Sequence, residues 1–367
     1  MVGQQFKITA VCSSTHWGGT EKWVLRACEE LAKRNHNVTM IVRDEELFRT
    51  RMRHSFPLIQ LPFRNDADLQ TIFKLIPIFK ASDIIILTRV RDYWLGGIAA
   101  KLTNKSVLLR LGIVRKLREN YIKDRLRYGW FPTRTIVNAN QIKQVLTETS
   151  WINPNDIHVI YNGVSPRSIL PDQEKENAKK KLGFQPDCIL VVGAGRLTEV
   201  KRWDWFVDGI VLLISKGIGA RGILFGEGVE MENLKGRVSQ KGLESDFLLP
   251  GYTTNLNEYL DGADIVVLPS MNEGISNLML EAMGCSVPVL ITESGGVKEK
   301  FTDGENIMIT GRDNYAEFMN RLVILAKDSE LRKTIGENGL EKVKNDFSWS
   351  SMTDSLEKLI KLTVDSK

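Results

Sequence analysis

The chain has 367 residues, 43% hydrophobic and 26% charged, with a formal net charge of +5. That length exceeds one ordinary core and points to two domains, and the composition excludes a disordered or fibrous chain. No window approaches the roughly twenty apolar residues of a membrane span, and no secretory apolar segment precedes the first strand, so a cytoplasmic location is expected. The four cysteines, Cys12, Cys28, Cys188 and Cys285, stand far apart without a C-x-x-C or His–Cys cluster. They read as reduced core thiols, with no metal site. Residues 1–165 hold 25 Lys and Arg against 14 Asp and Glu, and residues 166–367 hold 25 against 31. The two halves are therefore expected to meet different partners, or the first half to meet an anionic one.

In chain order, residues 6–12 read as a strand and 13–19 as a polar loop ending on glycines. Thr20 can cap a helix to about Arg34, with Glu21 in its favourable first turn and Trp23, Val24, Ala27 and Leu31 on its core face. Residues 38–42 form the next strand. Strand 82–87 leads to a helix from about Tyr93 to Leu102. Strand 106–111 leads to a basic helical stretch from about Val114 to Arg127. Strand 135–138 leads to a helix over 141–149, and strand 157–160 leaves through Asn162-Gly163-Val164. This alternation implies a parallel sheet covered on both faces. Gly18 and Gly19 mark either a ligand loop or a turn that merely needs glycine. His16, in the same loop, is either a ligand contact or a solvated side chain.

In the second half, residues 165–176 form a polar linker broken by Pro166 and Pro171, running into a helix that ends near Gly183. Strand 188–195 closes on glycines before Arg196-Leu197-Thr198-Glu199-Val200-Lys201. A dinucleotide fingerprint would need glycine at 198, where Thr198 stands. Arg196 and Lys201 sit at a strand's C-terminal end and can reach one diphosphate, Arg as a forked donor and Lys as a point charge. A solvated surface pair is the alternative. Further strands close at Gly226 and near Leu249. Residues 263–268 and 287–291 read as strands buried on both faces. Between them a short helix is expected, capped by Ser276 or Asn277 and ended by Gly284 in a left-handed turn.

The loop Glu273-Gly274-Ile275-Ser276-Asn277-Leu278 precedes that helix. Its backbone N–H groups and the helix dipole suit a phosphate. Glu273 and Glu281 bracket this anion site. A diphosphate would repel them, so they make better acceptors for hydroxyls on either side, the layout of a nucleotide sugar. Chance spacing, and an ordinary solvent-facing helix position for Glu281, are the competing account. The remaining segments, 316–327, 331–344 and 350 onward, carry apolar residues at helical spacing.

The run from Glu273 to Glu281 resembles the E-x7-E signature of retaining GT-B glycosyltransferases of family 4, the group 1 class. The resemblance implies two doubly wound Rossmann-like α/β domains facing a central cleft. Residues 1–165 would bind the acceptor, with helix 350–367 packing back on them, and 166–349 would bind a nucleotide diphosphate sugar. It also implies that Glu273 meets the transferred sugar, Glu281 the ribose, and Arg196 and Lys201 the diphosphate. Gly18 and Gly19 would lie where donor sugar and acceptor meet, and the turns at Gly226 and Leu249 would flank base and ribose. Glu293 to Glu299 resembles the family's Gly-Gly-x-x-Glu turn. Transfer would proceed with retention, without metal or cofactor, most commonly from a uridine donor. The family's histidine after the fourth strand is missing: Arg89 and Arg91 occupy one loop and Arg110 the next strand. These arginines are expected to read an anionic acceptor instead.

Lys116, Arg118, Lys123 and Arg127, with Trp130 and Phe131 among them, suggest a patch on an anionic membrane, placing the chain on the inner face of the cytoplasmic membrane beside a glycan or lipid-linked acceptor. A solvated helix is the alternative. The basic stretch would also suit nucleic acid, but the acidic second half argues against that. A sugar-nucleotide epimerase of the same fold and a non-catalytic sugar-nucleotide or anionic-polymer binder remain as rivals.

Overall fold

The structure is a computed structural model that describes residues 4–50, 55–113, 115–253, 255–271, 275–293 and 296–366. It divides into two compact units, residues 1–163 with 349–367 and residues 164–348. The boundaries expected from the sequence were 165/166 and 349/350.

Unit 1 runs β1 (Lys7–Cys12), α1 (Gly19–Lys33), β2 (Asn37–Val42), α2 (Glu45–Arg49), β3 (Leu58–Gln60), α3 (Leu69–Lys80), β4 (Ile84–Leu87), α4 (Val90–Leu102), β5 (Ser106–Leu111), α5 (Ile122–Arg125), β6 (Arg134–Val137), α6 (Asn140–Thr147) and β7 (Ile157–Val159). Unit 2 runs α7 (Asp172–Lys181), β8 (Ile189–Ala194), α8 (Trp203–Ser215), β9 (Ala220–Phe225), α9 (Met231–Gln240), β10 (Phe247–Gly251), α10 (Leu256–Gly262), β11 (Ile265–Leu268), α11 (Asn277–Gly284), β12 (Val289–Thr292), β13 (Met308–Thr310), α12 (Tyr315–Lys327) and α13 (Ser329–Asp346). Helix α14 (Trp349–Asp365) returns to unit 1.

Unit 1 holds a seven-stranded sheet in the order β3-β2-β1-β4-β5-β6-β7, and unit 2 a six-stranded sheet in the order β10-β9-β8-β11-β12-β13. The strand pairs are parallel, as alternating strands and helices require. β4, β11 and β12 are buried at every position, which explains their continuous apolar sequences. In unit 1 one core layer joins β1 and β2 to Trp23, Val24 and Leu31 of α1 and to Met352, Leu356, Leu359 and Ile360 of α14. Arg34 fastens α14 from outside, donating to Asp354 and Glu357 at 2.6 Å each. Cys12, Cys28 and Cys188 are buried thiols, and burial pushes Cys12 up to about 12.

Several local expectations are corrected. The cap of α1 is Gly18, not Thr20, which lies inside the helix. Helix α4 starts three residues before Tyr93, so Arg89 is its N-cap. The basic stretch is not one helix: residues 115–120 are irregular, α5 is a single turn, and a wider π turn follows over Leu126–Trp130. The left-handed residue after α11 is Ser286, with φ 60°, while Gly284 stays helical.

Candidate functional site

In open α/β sheets ligands sit beyond the C-terminal strand ends where strand order reverses. In unit 2 that point lies between β8 and β11. Strand β8 delivers Gly195 and Arg196, then a short turn over Glu199–Lys201 leads to Arg202, held left-handed at φ 51°. Strand β11 delivers Pro269, Ser270 and Met271. The two loops are joined, because the Met271 N–H donates to the Val200 carbonyl at 2.8 Å. Arg196 is exposed and has no ion-pair partner among the described residues; its carbonyl accepts from Trp203 Nε1 at 3.0 Å. Lys201 is half-buried.

Glu273 and Gly274 lie outside the described residues. Ile275 and Leu278 are buried. Ser276 is the N-cap of α11, in extended backbone, but its side chain makes no capping bond, unlike the expected cap. The first backbone bond of the helix is Leu280 N–H to the Ser276 carbonyl, at 3.1 Å. A helix start of this kind carries partial positive charge towards the strand ends. Helix α11 is buried at Leu278, Met279, Leu280, Ala282, Met283 and Gly284. Glu281 alone in that run is partly exposed. Asn277 is likewise half-buried.

Gly226 has a structural reason of its own. At φ 144° it approaches so closely that a Cβ would collide with the Gly195 carbonyl, and Gly228 does the same against Leu197. These glycines let the β9 loop lie against the loop bearing Arg196. Leu249 sits half-buried on β10.

In unit 1 the reversal lies between β1 and β4. His16 is exposed and hydrogen-bonds its neighbour Thr15 at 3.0 Å. Gly18 is extended and Gly19 helical, so neither needs a left-handed backbone. Glu21, which the sequence reading did not single out as a site residue, is 0% exposed and forms an ion pair with Arg89. Asp92 accepts from the Ser13 N–H at 3.0 Å and the Arg89 N–H at 2.8 Å, and burial pushes its carboxyl up to about 7.

Arg91 donates to the Phe63 carbonyl at 2.8 Å. The expectation that Arg110 reads an anion meets a correction. Arg110 is 3% exposed, because β5 is covered on both faces. Its guanidinium lies 4.5 Å from the Trp23 ring centre and donates to Asn162 Oδ1 at 2.9 Å. Burial lowers it to about 10.

The basic patch loses members too. Arg127 is buried, paired with Asp66 at 2.7 Å and set over Trp94. Phe131 is buried in the fold. Arg118 is exposed but pairs with Asp124 at 3.2 Å. Lys116, Lys123 and Arg125 stay exposed, beside Ile113, Ile122 and Trp130, the last 57% exposed. Among the described residues no helix is long and apolar enough to cross a membrane, and no group of three or more His, Cys, Asp or Glu is placed to hold a metal ion.

Two family models match the chain: one described as glycosyltransferase family 4 over residues 17–168, the other as glycosyl transferases group 1 over residues 188–328. A lipopolysaccharide core biosynthesis mannosyltransferase of Rhizobium meliloti is 30% identical over 52% of this chain and 56% of its own length. A UDP-galactose:α-D-GlcNAc-diphosphoundecaprenol α-1,3-galactosyltransferase of Escherichia coli is 28% identical over 62% of this chain and 59% of its own. The matches thus span a little over half the length of these curated relatives. Anabaena HepE, solved in complex with UDP-glucose, superposes with a TM-score of 0.84 at 19% identity over 99% of this chain and 100% of that one. The chain has the GT-B fold and belongs to the group 1 glycosyltransferases of family 4.

Proposed function

We propose that this chain is a retaining glycosyltransferase that moves a hexosyl group from a nucleotide diphosphate sugar to a glycan or lipid-linked hydroxyl in polysaccharide, lipopolysaccharide or glycolipid assembly. The observation that carries the reading is an exposed Arg196, without a carboxylate partner among the described residues, at the strand reversal of unit 2 on a loop bonded to the one that leads into α11. Negative charge grows on the leaving diphosphate as the glycosyl bond breaks. Arg196, Lys201 and the start of α11 stabilise that charge without a metal or cofactor. Glu281 holds the ribose and Glu273 the transferred sugar. The acceptor hydroxyl attacks from the leaving-group face and gives its proton to the departing phosphate.

The donor base is uridine on this reading, supported by the fold shared with a structure that holds UDP-glucose. A lipid-linked acceptor is supported by the diphosphoundecaprenol named for the Escherichia coli relative. Unit 1 binds the acceptor, and the exposed surface of Lys116, Lys123, Arg125, Ile122 and Trp130 rests on anionic lipid.

A panel of nucleotide sugars incubated with the protein in EDTA, with the intact product's anomeric configuration followed by NMR, tests the reading. Release of the retained anomer from a uridine donor is expected. The inverted anomer, or turnover only with added metal, would overturn the mechanism.

A further inference from the structure

The loop that carries Arg196 and Lys201 ends on a residue that the proposed chemistry does not use. Arg202 follows Lys201 directly and stands in the left-handed region, at φ 51° and ψ 42°. Only glycine adopts that conformation without cost, and other residues persist in it where their surroundings over-determine them. The surroundings of Arg202 do so. Its two terminal guanidinium nitrogens donate to the Arg312 carbonyl and the Asp313 carboxylate, both in the loop between β13 and α12. The guanidinium also lies 4.8 Å from the ring centre of Trp205, in the first turn of α8. The Arg202 side chain is 14% exposed, so it is committed to the fold rather than offered to a ligand.

The receiving loop is itself fastened. The Gly311 N–H donates to Glu317 Oε2 at 2.9 Å, and the Asn314 side chain accepts from the Glu317 N–H at 3.0 Å. Trp205 packs edge-on against Tyr315 and Phe318 of α12, with ring centres 5.2 and 5.7 Å apart. On the other side, the Val200 carbonyl is held by the Met271 N–H. Lys201 therefore sits between two pins, Val200 fixed to the loop after β11 and Arg202 fixed to the loop after β13. A lysine is a point charge on a long flexible stem. Fixing its backbone on both sides removes part of the ordering that an anion would otherwise have to impose.

We propose that Arg202 and Asp313 are positioning residues for the diphosphate clamp, acting through Lys201 by holding its backbone where the ammonium can meet the phosphates. The inference rests on the reading of Arg196 and Lys201 as the diphosphate ligands.

Calorimetric titration of UDP into the full chain tests it, with Lys201→Ala, Asp313→Ala, Arg202→Gly and the double variant Lys201→Ala with Asp313→Ala. Lys201→Ala should weaken UDP about tenfold, and Asp313→Ala about threefold to tenfold, part or all of that one charge-assisted contact. Asp313 is 73% exposed, so its replacement should leave the thermal midpoint in place. Arg202→Gly accepts the left-handed backbone freely but loses the tether, and should match Asp313→Ala. In the double variant the Asp313 change should add nothing to the Lys201 loss, since residues that act through one contact are not additive. Full UDP affinity in Asp313→Ala or in Arg202→Gly overturns the proposal, as does an additive loss in the double variant, which a merely structural role would give. Either result beside a weakened Lys201→Ala sinks this proposal alone. UDP affinity untouched by Lys201→Ala, or no UDP binding by the unsubstituted protein, sinks the donor reading and this inference with it.

Discussion

The two sheets reverse strand order in the same manner, β1 beside β4 in one unit and β8 beside β11 in the other, yet they treat charge in opposite ways. In unit 1 the arginines near the reversal are engaged within the fold: Arg89 with Glu21, Arg91 with the Phe63 carbonyl, Arg110 with Asn162 and Trp23. In unit 2 Arg196 stands exposed with no ion-pair partner among the described residues, on a loop bonded through Val200 to Met271 of the neighbouring loop. Only Arg89 has its field cancelled, by the Glu21 carboxylate; Arg91 and Arg110 are held by neutral groups, which fix their position without removing their charge. An exposed guanidinium with no carboxylate beside it is suited to recruit an anion. The comparison teaches that, on the proposed reading, a count of basic residues alone does not find the anion site, since the basic half of the chain holds its reversal-point arginines in contacts within the fold.

The sharpest way to break the comparison is to remove Arg89. Glu21 would be left as a wholly buried charge without its partner, and losing one side of such a pair costs about 3–5 kcal/mol. Arg89→Ala should therefore lower the thermal midpoint far more than Arg196→Ala, which should leave it unchanged. Equal midpoints by calorimetry would mean that the unit 1 pair does not hold the fold.

Next in size is the exposed basic surface. Replacing Lys116, Lys123 and Arg125 with Glu should abolish pelleting with anionic liposomes at low salt, since each basic residue near such a surface adds about 1 kcal/mol. Neutral liposomes should never pellet the protein. Equal recovery with both kinds would mark this surface as merely solvated.

The carboxylates of unit 2 come third. Glu281→Ala should weaken UDP and the full donor alike by about tenfold, one charge-assisted contact. Glu273→Ala should spare UDP and depress turnover. Isothermal titration separates them, and equal loss of UDP in both variants would reject the division of roles.

The smallest effect concerns Asp92. Its folded carboxyl titrates at about 7 against 3.8 unfolded, chiefly because it is buried. Between about pH 4 and 7 the folded state therefore holds a proton that the unfolded state has released. Stability falls as pH rises through that window and stays at its lower level above it. Asp92→Asn removes this slope, though its amide hydrogens oppose the N–H groups of Ser13 or Arg89 and lower stability overall. Thermal midpoints at pH 5 and 7.5 should differ less in the variant than in the unsubstituted protein; an equal difference would contradict the assignment.

Much of this was legible in residue order. Apolar runs such as 265–268 and 289–292 could only be strands covered on both faces, and glycines closing strands placed Arg196 at a strand end. Arg110 was readable in principle, since a charge inside Leu-Leu-Arg-Leu on a doubly covered strand must be buried. Glu21 left a signal too: it lies three, four and seven residues before Val24, Leu25 and Cys28, on the apolar stripe of α1. A carboxylate on such a stripe needs a buried partner, but nothing local names Arg89, 68 residues away. The irregular backbone over 115–120 was hidden because its basic residues have good helix propensity, while Arg118 turns to Asp124, six residues on.

The central claim is that the anion site belongs to unit 2 and hangs on Arg196. Calorimetric titration of UDP into the unsubstituted protein, Arg196→Ala and Glu21→Gln tests it most directly. Arg196→Ala should weaken UDP at least about tenfold, as loss of one charge-assisted contact requires, and Glu21→Gln should leave UDP affinity unchanged. Unaltered affinity in Arg196→Ala, or a comparable loss in Glu21→Gln, would contradict the account.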